Sequence, residues 1–274
     1  MLKTSLLKKN ILLPFFLTSH LFFCIASFAK DSSDSISLPR AMDFSSQIVF
    51  RTIPLGFAVS GTVGYSHLLW GDPSSKDAFM YGYARGKAKV QSSLFVNSLD
   101  LALEVAPIAP LLLVVGHSES HRSKDFSGID CLNNTCKGRI QRNYFQAAAI
   151  YGYGPAFMGG SARITSNNTP GAFKYFYDEA ASLIAKSGGD TFREWDAFLG
   201  YKIDENQKLG YFANLTEMTG STESSSTHAL FYSYTHGVFN YSGGAGFYQS
   251  DLQARSATFF VSAKWVGKKA IGLF

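Results

Sequence analysis

The sequence predicts an all-β chain that folds as a transmembrane antiparallel up-and-down β-barrel of about twelve strands. Three observations carry this. First, residues 238–265 alternate with a period of two: Phe239, Tyr241, Gly243, Ala245 and Phe247 share one face, and Asn240, Ser242, Gly244, Gly246, Tyr248 and Ser250 share the other. After a break at residues 251–253 the alternation resumes, with Ala257, Phe259, Val261, Ala263 and Trp265 set against Ser256, Thr258, Phe260, Ser262 and Lys264. Second, the amino terminus reads as an export signal. Third, no apolar run of about 18 residues follows that signal, which excludes helical spans. A closed barrel is then the spanning structure left, because lipid supplies no partner for backbone N–H and C=O groups.

Lys3, Lys8 and Lys9 form a basic start, residues 11–25 are mostly apolar, and Ser27-Phe28-Ala29 supplies small residues for cleavage. Residues 1–29 are therefore expected to be a signal peptide, because Pro14, Thr18, Ser19 and His20 interrupt a run that a retained anchor would keep apolar. Phe23 is too large for the residue before a lipid-modified Cys24. Residues 30–42 read as a flexible periplasmic arm and 43–274 as the barrel. Cleavage removes three of the 25 Lys and Arg residues and none of the 20 acidic ones, leaving 22 against 20. So even a balance speaks against a nucleic-acid partner, which needs a clustered basic surface. Cys131 and Cys136 form an even pair in an exported chain and are expected to be disulfide-bonded. No second Cys or His pair flanks them at ligand spacing, so neither a metal nor another cofactor is expected.

The strands follow in order. Residues 44–53 place Phe44, Ile48 and Phe50 opposite Ser45, Gln47 and Arg51, and a turn at 53–56 follows. The next strand sets Phe57, Val59, Gly61, Val63 and Tyr65 outward and Ala58, Ser60, Thr62, Gly64 and Ser66 inward, and ends at Trp70. Residues 79–91 and 95–105 form the most charged pair. Arg85, Lys87 and Lys89 share one face, and Ser98, Asp100, Ala102 and Glu104 share the inner face of the partner, whose outer face is Leu99, Leu101, Leu103 and Val105. A tight turn between them brings Lys87 or Lys89 opposite Asp100 and Arg85 opposite Glu104, a stabilising arrangement across a strand pair. The opposite register would expose these ions to lipid at about 2–4 kcal/mol for each midplane cation.

Residues 107–110 read as a turn, 111–118 as a strand and 119–138 as a long loop holding both cysteines. Strands at 139–151 and 156–166 flank the Gly152–Pro155 turn, and the second carries Ser161, Arg163 and Thr165 inward. Residues 167–190 count as one loop, in which 173–186 reads equally as a strand or a helix. Strands at 191–203, with Glu194, Asp196 and Lys202 opposite Trp195, Ala197, Leu199 and Tyr201, then at 207–216 and 227–235, lead to the closing pair. With both termini in the periplasm, the long connections at 119–138, 167–190 and 218–225 all fall outside, and the turns at 107, 152, 204 and 237 all fall on the periplasmic side. Short periplasmic turns with longer outer loops are the rule for such barrels.

This pattern, with the signal peptide, aromatic strand ends and terminal Phe274, resembles the Gram-negative outer-membrane β-barrel, porin-like class. Phe274 looks like the end of a barrel-assembly signal: Ile271 and Leu273 fit it, whereas Lys268 and Ala270 depart from it. The resemblance implies an outer-membrane location and, as partners, outer-membrane lipid, the barrel-assembly machinery and small polar solutes. A soluble β-sandwich would need charged outer faces, and charged residues make up only 16% of the chain. The leading functional expectation is a narrow channel or passive transporter whose lumen is lined by Arg85, Lys87, Lys89, Asp100, Glu104, Arg163 and Asp196. A surface-interaction barrel acting through its outer loops is the alternative. A membrane hydrolase would draw on His117, Ser118, Glu119, Ser120 and His121, a stretch without the His-x-Ser-Asn arrangement of outer-membrane phospholipases, so no catalytic residue is assigned.

Overall fold

The computed structural model describes residues 40–53, 55–73, 80–93, 95–123, 134–169, 174–178 and 183–268. The signal peptide, most of the arm, Cys131 and the terminal Ile271, Leu273 and Phe274 lie outside the described residues. The chain runs through β1 (Arg40–Thr52), β2 (Leu55–Trp70), β3 (Gly82–Ser92), β4 (Val96–Ile108) and β5 (Leu111–Arg122). A two-residue β6 (Asn134–Thr135) precedes β7 (Gly138–Tyr153) and β8 (Ala156–Asn168), and the short strands β9 (Tyr175–Asp178) and β10 (Leu183–Lys186) follow. Then come β11 (Asp190–Lys202), β12 (Gln207–Met218), β13 (Ser224–His236), β14 (Phe239–Ser250) and β15 (Gln253–Lys268).

All but β6, β9 and β10 form a closed antiparallel barrel of twelve strands, sealed where β1 pairs with β15. Closure leaves no unpaired edge, which is what the hydrocarbon region demands. The period of two fixes which side chains meet lipid. Val59, Val63, Tyr65, Leu99, Leu101, Leu103, Phe247, Phe259 and Val261 are exposed on the outer wall, while Ala58, Ser66, Asp100, Glu104, Tyr248, Thr258 and Phe260 are buried on the inner one. At one rim Phe44, Trp70, Tyr151, Tyr153, Tyr201, Tyr234, Phe239 and Trp265 form an aromatic girdle at strand ends. Aromatic rings collect at the water–lipid boundary because one end of each is apolar and the other polar. Phe44 and Trp265 close this girdle across the β1–β15 seam with centroids 5.4 Å apart.

Several boundaries differ from the sequence reading. β4 continues to Ile108 through a bulge between Val105 and Ile108, because Pro107 cannot donate to the ladder and is passed over there. β5 extends to Arg122, which places Glu119 through His121 in the strand that holds His117 and Ser118, not in the loop. Residues 167–190 are not one bare loop: β9 and β10 pair as a hairpin, with Leu183 opposite Asp178 and Lys186 opposite Tyr175. Backbone pairing and burial thus override the helix-forming composition around Ala180.

Half of the interior is filled by rings. Phe157, Phe198, Phe212, Phe231 and Phe260 are buried together with Ile150 and Ala229. Each of four lies over an inward glycine on an adjoining strand: Phe198 over Gly159, Phe157 over Gly200, Phe231 over Gly210 and Phe260 over Gly244. A Cβ on Gly210 would stand 2.5 Å from Phe231 Cζ and 2.6 Å from the Leu199 carbonyl oxygen. Gly210→Ala is therefore expected to cost about 1–3 kcal/mol, the range for overpacking a filled site. The midpoint of urea unfolding in detergent, followed by the heat-dependent shift in gel mobility, measures it.

Candidate functional site in the barrel lumen

The β3–β4 hairpin sets the charges in register: Arg85 stands opposite Glu104, Lys87 opposite Ala102 and Lys89 opposite Asp100. All of them face the interior. Arg85 donates from Nη1 to Glu104 Oε2 at 2.8 Å and from Nε to Asp43 Oδ2 at 2.9 Å. Asp43 belongs to β1, so this bridge crosses β2, and it crosses above Gly64. A Cβ there would meet both the Arg85 guanidinium and the Asp43 carboxylate. Lys87 donates its ammonium to the other oxygen of Glu104. Asp100, directly opposite Lys89, accepts the Tyr144 hydroxyl at 3.0 Å. Among the described residues Lys89 forms no ion pair.

Tyr144 carries the network along the wall from β4 to β8. Its ring lies against Gly116, directly across the β5–β7 ladder, and the Arg163 guanidinium sits 3.7 Å from the ring centroid. Arg163 Nε in turn lies 3.8 Å from Glu194 Oε2. Asp196, two residues on, accepts Asn214 Nδ2 at 2.9 Å and the Ser161 hydroxyl at 3.2 Å. The seven residues singled out in the sequence thus fall into two groups, Arg85, Lys87, Lys89, Asp100 and Glu104 on one side and Arg163 and Asp196 on the other. Tyr144 joins them. Sequence reasoning missed Asp43, Tyr144 and Asn214; Asp43 stands one residue ahead of the first recognised alternation, and an inward Tyr gives no charge signal.

Above this belt the β9–β10 hairpin, to which β6 adds a third strand, packs against the inner wall. Phe176, Leu183 and Ala185 are fully buried against Ile140 of β7, Phe192 of β11 and Met218 of β12. Polar ties fix the hairpin to the wall. Arg142 Nη2 donates to Asp178 Oδ2 at 3.0 Å, Arg122 Nη1 donates to the Tyr177 carbonyl, and Asn167 Nδ2 reaches Asp178 at 3.4 Å. From the neighbouring outer turn, Glu223 Oε2 accepts the Ile184 N–H at 2.6 Å. Burial pushes the Glu223 carboxyl above its ordinary range, opposed by that N–H and assisted by nearby Asp251. Cys136 is buried beside this cap.

The hydrolase candidates do not converge. His117 and His121 point from β5 to the outer wall, where His117 Nδ1 and Asn143 Oδ1 are 2.7 Å apart, while Ser118 and Ser120 point into the barrel. Adjacent strand residues face opposite sides, so no Ser–His couple forms within this stretch. No group of three or more metal-ligating side chains exists among the described residues.

A closed barrel with an apolar exterior, a girdle of rings at one rim and a charged interior leaves one assignment. The chain has the architecture of a membrane-spanning β-barrel. No protein-family model matches it, and no curated protein matches it in sequence. Among solved structures, an outer-membrane channel from Pseudomonas putida F1 aligns with a TM-score of 0.44 at 10% identity, covering 86% of this chain and 99% of that one. The NanC porin aligns with a TM-score of 0.43 at 10% identity over 81% and 98%. The β domain of the Bordetella autotransporter BrkA gives 0.43 at 12% identity over 82% and 98%. At these values the similarities carry no argument about function.

Proposed function

We propose that this outer-membrane barrel is a narrow channel for small polar solutes, held shut at its outer mouth by the β9–β10 hairpin. One observation carries the reading. Along β1 to β4, β14 and β15 the inward side chains include the small polar Ser45, Ser60, Thr62, Ser98, Ser242 and Ser262, all of them only half-buried. The Lys87 side chain between them keeps 23% of its exposure inside a closed wall. Inward groups that remain wetted in this way border water, whereas the phenylalanine-filled side does not. The strip is lined by both signs of charge, which suits polar solutes of modest charge.

Single-channel recording in planar bilayers tests this, with small discrete currents expected from the purified barrel. A barrel that stays silent, also after the hairpin is released, is sealed and acts through its outer loops instead. The outer loop is further proposed to be closed by a Cys131–Cys136 bridge. Its loop is short, so the expected stabilisation falls below the roughly 3 kcal/mol of a 15-residue loop. An impermeant maleimide should label intact cells only after reduction; labelling without reductant counts against the bridge.

A further inference from the structure

On the lipid side of β13 and β14, between Tyr211 of β12 and Arg255 of β15, the outer wall carries a groove of about 540 Å³. It exists because small residues stand where the alternation elsewhere places bulky ones. Ala245 pairs with Leu230, and Gly243 precedes it on the same face of β14. The end toward the membrane centre is apolar, formed by Leu230, Ala245 and Phe247. The end toward the outer turn at residues 251–252 carries Arg255, whose guanidinium lies 4.3 Å from the Phe247 ring centroid. Tyr211 and His228 form the far wall, with hydroxyl and Nδ1 2.6 Å apart and the rings stacked.

Among the described residues Arg255 forms no ion pair. An exposed guanidinium that leans on an aromatic ring beside an apolar, lipid-facing wall is placed to take an anion. The anion found at this height on the outer side is a lipid phosphate. An apolar slot below a single cation also matches the shape of an acyl chain hanging from a phosphorylated headgroup. We propose that the groove seats one acyl chain of the phosphorylated glycolipid of the outer leaflet, with its phosphate on Arg255. The phosphate fixes the headgroup by a charge-assisted hydrogen bond, and the chain covers Leu230, Ala245 and Phe247.

Native mass spectrometry of the folded barrel with diphosphoryl lipid A tests this, with dephosphorylated lipid A as the comparison. Retention is expected to fall about tenfold when the phosphates are removed, the change that loss of one charged hydrogen bond produces. Arg255→Gln should show the same loss. Ala245→Phe fills the slot and leaves Arg255 in place, and it should also lose the lipid. The heat-dependent gel shift establishes that each variant is folded. Binding within about twofold of the wild type by either folded variant, or equal retention of the phosphate-free lipid, overturns the proposal.

Discussion

Asp178→Ala is expected to release the β9–β10 hairpin and to raise both its protease sensitivity and the channel current. The carboxylate is fully buried and accepts from Arg142, whose side chain keeps 11% exposure. Removing one partner of such a pair leaves the other charge buried, at a cost of about 3–5 kcal/mol. Each 1.4 kcal/mol is a factor of about ten, so the docked hairpin loses roughly two to three and a half orders of magnitude in population relative to the undocked one. The apolar seal of Phe176, Leu183 and Ala185 opposes release, which makes Asp178→Ala combined with Leu183→Ser the stronger variant. Limited proteolysis of the folded barrel and bilayer conductance are the two readouts. A hairpin that stays resistant while current is unchanged would remove it from gating.

Asp100→Asn with Glu104→Gln should shift the selectivity of the proposed pore toward anions. The wall then loses two negative charges and keeps Arg85, Lys87, Lys89 and Arg163. Arg85 retains Asp43, so its guanidinium stays in place, whereas Lys87 loses its carboxylate. Because Lys87 remains partly hydrated, the stability cost should lie near the lower end of the roughly 3–5 kcal/mol for a broken buried pair. Reversal potentials in a salt gradient measure the shift. Wild-type current with no change in selectivity would remove these residues from the conducting path.

The sequence by itself determined which side chains meet lipid and which turn inward, because a strand alternates its faces at every residue and the apolar set at Phe239, Tyr241 and Phe247 admits one register. The short connection between β3 and β4 likewise made the pairing of Arg85 with Glu104 legible, since the length of a hairpin turn fixes what lies opposite what. The even strand number and the side bearing the long loops followed from the spacing of turn residues. Only the tertiary structure decided the rest. Asp43 reaches Arg85 across an intervening strand, which depends on how the barrel staggers its strands and on Gly64 leaving space. Asp100 accepts the Tyr144 hydroxyl across the intervening β5, a contact that the strand stagger decides. Residues 178–186 carry a composition suited to a helix, yet Tyr175–Asp178 and Leu183–Lys186 pair as strands because the barrel wall buries Phe176 and Leu183 and satisfies Asp178 with Arg142. Such contacts join residues whose spacing along the chain has no fixed relation to their distance in space, so no local pattern announces them.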